Sequence, residues 1–120
     1  MKPTLQVVEG KPFLECPAGD VLISSEREIL ELLSLGYGHD THRFLFREDN
    51  FPARLYDLKT GLAGAVFQKL AVYRVRAAVV MGSLEAKNPR FTEFMSECNK
   101  GNQLRFFTDR EAAVAWLIAD

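Results

Sequence analysis

Cysteine is scarce. The chain has two, Cys16 and Cys98, far apart in sequence and in no Cys-x-x-Cys pair. Free thiols in a reducing compartment are therefore expected, rather than a disulfide framework or a zinc site. Long apolar runs are missing too: no stretch approaches the roughly 18 consecutive apolar residues of a membrane span, and the opening MKPTLQVVEG carries no apolar signal core. Neither sign of charge dominates. Fifteen basic and 16 acidic residues are interspersed and leave a formal charge of −1. That balance argues against nucleic acid or an anionic membrane as a partner. Repeats, linkers and low-complexity tracts are also lacking. Together these absences predict one cytoplasmic domain over residues 1–120, and a hydrophobic content of 48% supplies a core for it.

What is present alternates between strand and helix. TLQVVE and PFLECP are β-rich runs split by a turn, which reads as a hairpin. SSEREILELLSLG offers a capping box, Ser25 with Glu28, an apolar stripe of Ile29, Leu32 and Leu33, and Gly36 as terminator. RFLF is a third strand. VRAAVVMG is a fourth, apolar enough at its centre to be covered on both faces. NPRFTEFMSECNKG places Asn88 as cap, Pro89 at the first helical position and Phe91, Phe94, Met95 and Cys98 on one stripe. QLRFF is a fifth strand, and TDREAAVAWLIAD opens on a second capping box, Thr108 with Glu111. The order ββαβαβαβα implies an α/β fold with a single mixed five-stranded sheet, parallel after its first hairpin.

The stretch DLKTGLAGAVFQKLAVYR, from Asp57 to Arg74, is the most distinctive. Asp57 or Thr60 can cap its helix, a contribution of about 1 kcal/mol. Gly61 and Gly64 each cost a helix roughly 1 kcal/mol relative to alanine. Close packing of the helix on a strand would offset them, and so would a ligand or partner approaching bare backbone. An anion or a phosphorylated Thr60 at this helix start is one such use, held by Thr60, Gly61 and Asp57.

YDLKTGLAGAVFQKLAVYRVRAAVV and ECNKGNQLRFF resemble the two most characteristic segments of the bacterial domain-of-unknown-function family 4180. The likeness extends from about Leu22 to Leu117. In the first segment Asp57, Leu58, Thr60, Gly61, Leu62, Ala63 and Gly64 match the family pattern, with Tyr56 in place of its Phe and Lys59 in place of its Ser. In the second, Glu97, Cys98, Asn99, Gly101, Asn102 and Gln103 match. More loosely, the element order and the Asp-x-x-Thr-Gly-Leu start resemble the sulfate-transporter and anti-sigma-factor-antagonist (STAS) fold, the class of SpoIIAA-like regulators. That likeness implies a phosphorylated switch at Thr60, although ten residues, from Arg47 to Tyr56, separate the strand from Asp57 here.

Remaining candidates have plain structural uses beside their chemical ones. His39, Asp40 and His42 lack a fourth ligand, so no metal site is expected. Cys98 lies on an apolar stripe near a helix C-terminus, which disfavours its thiolate. Glu97, Asn99, Asn102 and Gln103 crowd one helix-to-strand corner, where turn chemistry accounts for them and a polar pocket or partner surface is the alternative. No catalytic residue and no cofactor is indicated. The expected function is a small regulatory or protein-binding domain whose partner is another protein, with a homodimer among the forms considered. The rival is a small-molecule-binding protein or enzyme with a polar pocket near Asp57, Glu97 and Asn99. A deep apolar pocket would favour the rival, and a flat exposed apolar patch the partner reading.

Overall fold

The computed structural model describes residues 3–84 and 88–119. Strands β1 (Thr4–Val8) and β2 (Lys11–Glu15) form an antiparallel hairpin. Its two-residue turn, Glu9 and Gly10, has positive φ at both positions, 52° and 77°, as a turn matched to strand twist requires. Next come α1 (Glu26–Gly38), β3 (Arg43–Arg47), α2 (Leu62–Val72), β4 (Arg76–Val80), α3 (Pro89–Cys98), β5 (Leu104–Phe107) and α4 (Arg110–Leu117). The sheet runs β1-β2-β3-β4-β5, with β2 to β5 parallel. The expected mixed five-stranded sheet and element order are therefore present, with β4 interior.

All three parallel crossovers step in the same direction along the sheet, so one handedness puts their helices on one face. On that face Phe44 and Phe46 of β3, Ala77 and Val79 of β4, and Phe106 of β5 pack against Ile29, Val66, Phe67, Phe91 and Met95. Phe94 is half-buried and stacks on Phe67, with ring centroids 5.8 Å apart. The other face carries Phe13, Leu45 and Ala78, which α4 covers with Ala113, Val114 and Leu117.

This short last helix is held at both ends. The N-cap is Asp109, whose carboxylate accepts from the amides of Glu111 and Ala112. Asp109 takes the role expected of Thr108, because its oxygens reach two orphan donors. At the C-terminal end, buried Arg76 donates to the carbonyls of Leu117 at 3.2 Å and Trp116 at 2.7 Å. Its third bond goes to Asn102 O at 2.7 Å, and its guanidinium carbon lies 3.8 Å from the centre of the Trp116 ring. Lys11 donates to Ile118 O at 2.8 Å. Two cations thus meet the negative end of one helix.

Gly36 does not end α1. The helix continues to Gly38, His39 is the C-cap, and Asp40 takes the left-handed turn at φ 57°. Gly36 is buried instead where α1 passes closest to the following loop: a Cβ there would lie 2.7 Å from Thr41 O and 2.9 Å from the Phe44 ring. The Ser25–Glu28 capping box forms as expected.

Candidate functional site: the start of α2 and the α1–α2 surface

The nine residues between β3 and Asp57, from Glu48 to Tyr56, hold the start of α2 in place. Asn50 is fully buried, and its side chain accepts from Arg47 N and donates to the carbonyls of Pro17 and Asp20. Tyr56 donates its hydroxyl to Glu48 O, and its own carbonyl accepts from Asn88, the N-cap of α3. Arg54 donates to Ser24 O beside the start of α1. The first turns of α1, α2 and α3 are thereby tied together at the carboxyl edge of the sheet.

Within this frame Asp57 caps a single 3-10 turn, Leu58–Thr60, by accepting from Lys59 N at 3.1 Å. Gly61 follows at φ 78° and occupies the N-cap position of α2. Asp57 is therefore one turn too early to cap α2, contrary to the simplest reading of the motif. Thr60 Oγ1 accepts from Leu62 N at 3.3 Å and lies 2.9 Å from the carbonyls of both Arg54 and Asp57. Thr60, Gly61 and Gly64 are exposed. Gly61 is needed for its backbone conformation. Gly64 is not, and nothing lies within 4 Å of where its Cβ would be. Close packing on a strand, the ordinary explanation for Gly64, is absent.

Gly64 belongs to a larger surface. The exposed positions of α2 are Gly64, Gln68, Ala71 and Val72, none charged. Beside them runs a stripe on α1 at helical spacing, Glu26, Leu30, Leu33 and Tyr37. Lys69 reaches Glu26 across the gap at 3.9 Å. Leu30 is 42% exposed, Tyr37 84%, Val72 65% and Tyr73 48%. A pocket of about 210 Å³, lined by Leu33, Tyr37, Asp40, Thr41, His42, Tyr73 and Val75, closes the lower end. This volume is below the roughly 300 Å³ at which small-molecule sites begin.

The second sequence cluster lies at the opposite edge of the sheet, because α2 and α3 both run antiparallel to the parallel strands. Asn99 Oδ1 accepts from Phe106 N at 2.7 Å and its amide donates to Phe106 O at 3.2 Å, which seals the outer edge of β5. Gln103 donates to Ala71 O at the end of α2, and Glu97 pairs with Lys100 at 3.3 Å on the surface. Asn102 and Gln103 line a shallow pocket with His42, Arg74, Val75 and Arg76. Asp57 and Thr60 thus stand at helix starts, while Glu97 and Asn99 stand at a helix end. The 10 residues of α3 separate those levels by about 15 Å. Among the described residues, Asp57 and Glu97 stand at opposite levels and share none of these pockets.

An open basin of about 530 Å³ lies over the carboxyl ends of β3 and β4, lined in part by Arg47, Glu48, Tyr56, Met81 and Gly82. Glu48 accepts from Gly82 N at 2.8 Å, and burial raises the Tyr56 phenol far above its usual range. Burial also pushes the Cys16 thiol up to about 12 and the Cys98 thiol up to about 11. Thiols in that state are poor nucleophiles at neutral pH. On the α4 face Glu15 bridges Arg110 at 2.8 Å and Arg47 at 2.7 Å. Hydrogen bonds from Arg110, opposed by burial and joined by Arg47, hold its carboxyl below the usual range.

Sequence reading missed Arg76, whose neighbours made VRAAVV look uniformly apolar, and it missed the exposed stripe. The available signal was Leu30 and Tyr37 lying off the Ile29, Leu32, Leu33 core stripe of α1.

The fold and this surface define a small α/β domain with helices α1 to α3 on one face of a mixed sheet. More particularly, the chain belongs to the domain of unknown function family DUF4180, whose family model matches residues 8–117. Comparison with curated proteins and with solved structures yields no match.

Proposed function

We propose that this protein is a small cytoplasmic regulatory domain that acts by docking another protein on the outer surface of α1 and α2. The observation that carries the reading is the uncharged, bare outer face of α2, with Gly64 open to solvent beside exposed Leu30, Tyr37, Val72 and Tyr73. Apolar surface of this kind, crossed by the single Glu26–Lys69 pair, fits a protein partner. The docking reading is favoured over a shared polar pocket because Asp57 and Glu97 stand at opposite ends of their helices, at different levels of the fold. Steady progression of strand order from β2 to β5 also lacks the reversal at which doubly wound sheets open a ligand crevice. No membrane or nucleic acid is invoked. Among the described residues no helix is long and apolar enough to cross a membrane.

The STAS-like element order supports regulation through Thr60. A phosphate there would sit beside the first turn of α2 and, with a charge of about −1.5 to −2, would change the docking surface more than the fold. Two experiments test the reading. A photo-crosslinking residue at Gln68 is expected to trap a discrete partner in the native host, whereas one at Glu111 on α4 is not. Equal trapping from both positions would refute the docking surface. Thr60→Asn keeps a capping side chain and removes the modifiable hydroxyl; it is expected to fold normally and lose regulation, and unchanged regulation reduces Thr60 to a turn residue.

A further inference from the structure

We propose that the free edge of β1 pairs with β1 of a second copy of this chain, joining the two sheets antiparallel across a two-fold axis at Gln6. This edge lies apart from the α1–α2 surface and stands independently of it. Each parallel crossover lays a helix on the α1–α3 face, but the β1–β2 hairpin brings none. Leu5 and Val7 point to that face, opposite Leu14 and Pro12, and are left 40% and 60% exposed.

Hydrogen-bond directions follow from Pro12. Its carbonyl accepts from Thr41 Oγ1 at 2.7 Å, on the β3 side, and it has no N–H to give to β1. The Val7–Pro12 and Leu5–Leu14 pairs are therefore the non-bonded pairs of the hairpin, and Leu5 and Val7 aim their N–H and C=O groups outward. An edge of this kind normally carries a charge, a proline or a bulge as protection. TLQVV has none of these. By contrast, on the other edge the Asn99 side chain occupies both the N–H and the C=O of Phe106.

A second copy is the occupant because the strand complements itself. Antiparallel pairing about Gln6 sets Leu5 opposite Val7 twice, and these outward-bonding residues exchange four hydrogen bonds. All four apolar side chains then share one face, while the two Gln6 amides meet on the other. No charge faces a like charge. Leu22, Leu32 and Leu35 line a groove with Glu28 and Glu31 on the flank of α1 away from α2. The symmetry is isologous and closed, so pairing stops at two chains. One short strand pair buries little area, so association is concentration-dependent.

Sedimentation from micromolar to millimolar protein tests this. The wild-type mass is expected to rise toward twice the 13.6 kDa of one chain. Val7→Pro removes an outward N–H that β2 does not use; it is expected to stay monomeric with an unchanged circular dichroism spectrum. Val72→Lys, on the α2 surface, is expected to associate like wild type. If Val7→Pro does not fold, Val7→Lys decides, because it sets a cation at each end of the shared face. A wild type that stays monomeric throughout, or a folded Val7 variant that associates as wild type does, overturns the proposal.

Discussion

Arg76 is the single side chain on which the placement of α4 depends most. Replacing it with methionine keeps an apolar stem against Trp116 and removes every guanidinium donor. Three carbonyls, those of Asn102, Trp116 and Leu117, then lose their partners. Bonds from a charged donor contribute about 1.5–3 kcal/mol each. Relief from burying the guanidinium offsets part of the sum, leaving a net loss of about 3–4 kcal/mol, within the 3–5 kcal/mol range for breaking a buried charged network. Against a typical stability of roughly 5–15 kcal/mol this is a large fraction. Urea unfolding measures it, with far-ultraviolet circular dichroism as the global probe and fluorescence of Trp116, the one tryptophan, as the local probe. Trp116 emission is expected to shift in the native baseline as well, because the nearer of the two cations over its ring is gone, leaving Arg105 at 5.3 Å. A loss below about 1 kcal/mol would show that water satisfies the α4 carbonyls unaided, and the clamp argument would fail.

Two glycines in neighbouring helices are expected to respond oppositely to alanine. Gly36→Ala gains helix propensity but drives a Cβ to 2.7 Å from Thr41 O, so unfolding experiments should show a net loss of about 1–2 kcal/mol. Gly64→Ala meets open space and should stabilise by about 1 kcal/mol in the same assay. Glu15→Gln is expected to be less stable than wild type at pH 7. The folded Glu15 carboxyl lies below its ordinary value of 4.5, so its contribution is full above that value and fades as pH falls through the folded one. Stability curves of the two proteins should converge in acid; a gap that persists at pH 2–3 would assign the effect to packing.

Secondary structure was legible where local chemistry and periodicity agree. Ser25 with Glu28, Asn88 with Pro89, and the Phe91, Met95 stripe each announce their helix. RFLF read correctly as a strand, and VRAAVV correctly as an interior one because its unbroken apolar centre is covered on both faces. What failed depends on three-dimensional partners. Gly36 has the local appearance of a terminator, and only the path of the Thr41 loop reveals it as a contact. Thr108 and Asp109 are both good caps, and one residue of register decided between them. Arg76 looks like a strand boundary until α4 folds back over it. The candidate site divides the same way. Residue types at Gly61 and Gly64 left open whether a strand or solvent meets that backbone, and only the fold shows Gly64 facing open space; the level difference between Asp57 and Glu97 likewise arises from helix direction, which local sequence does not encode.

The docking claim is tested most directly by quantitative affinity capture from the native host with three tagged forms of equal fold: wild type, Leu30→Glu with Val72→Glu, and Val21→Glu. Val21 is 58% exposed and lies off the α1–α2 surface. A protein recovered with wild type and with Val21→Glu, and lost from the double variant, is the expected result. Recovery of the same proteins with all three forms would contradict it.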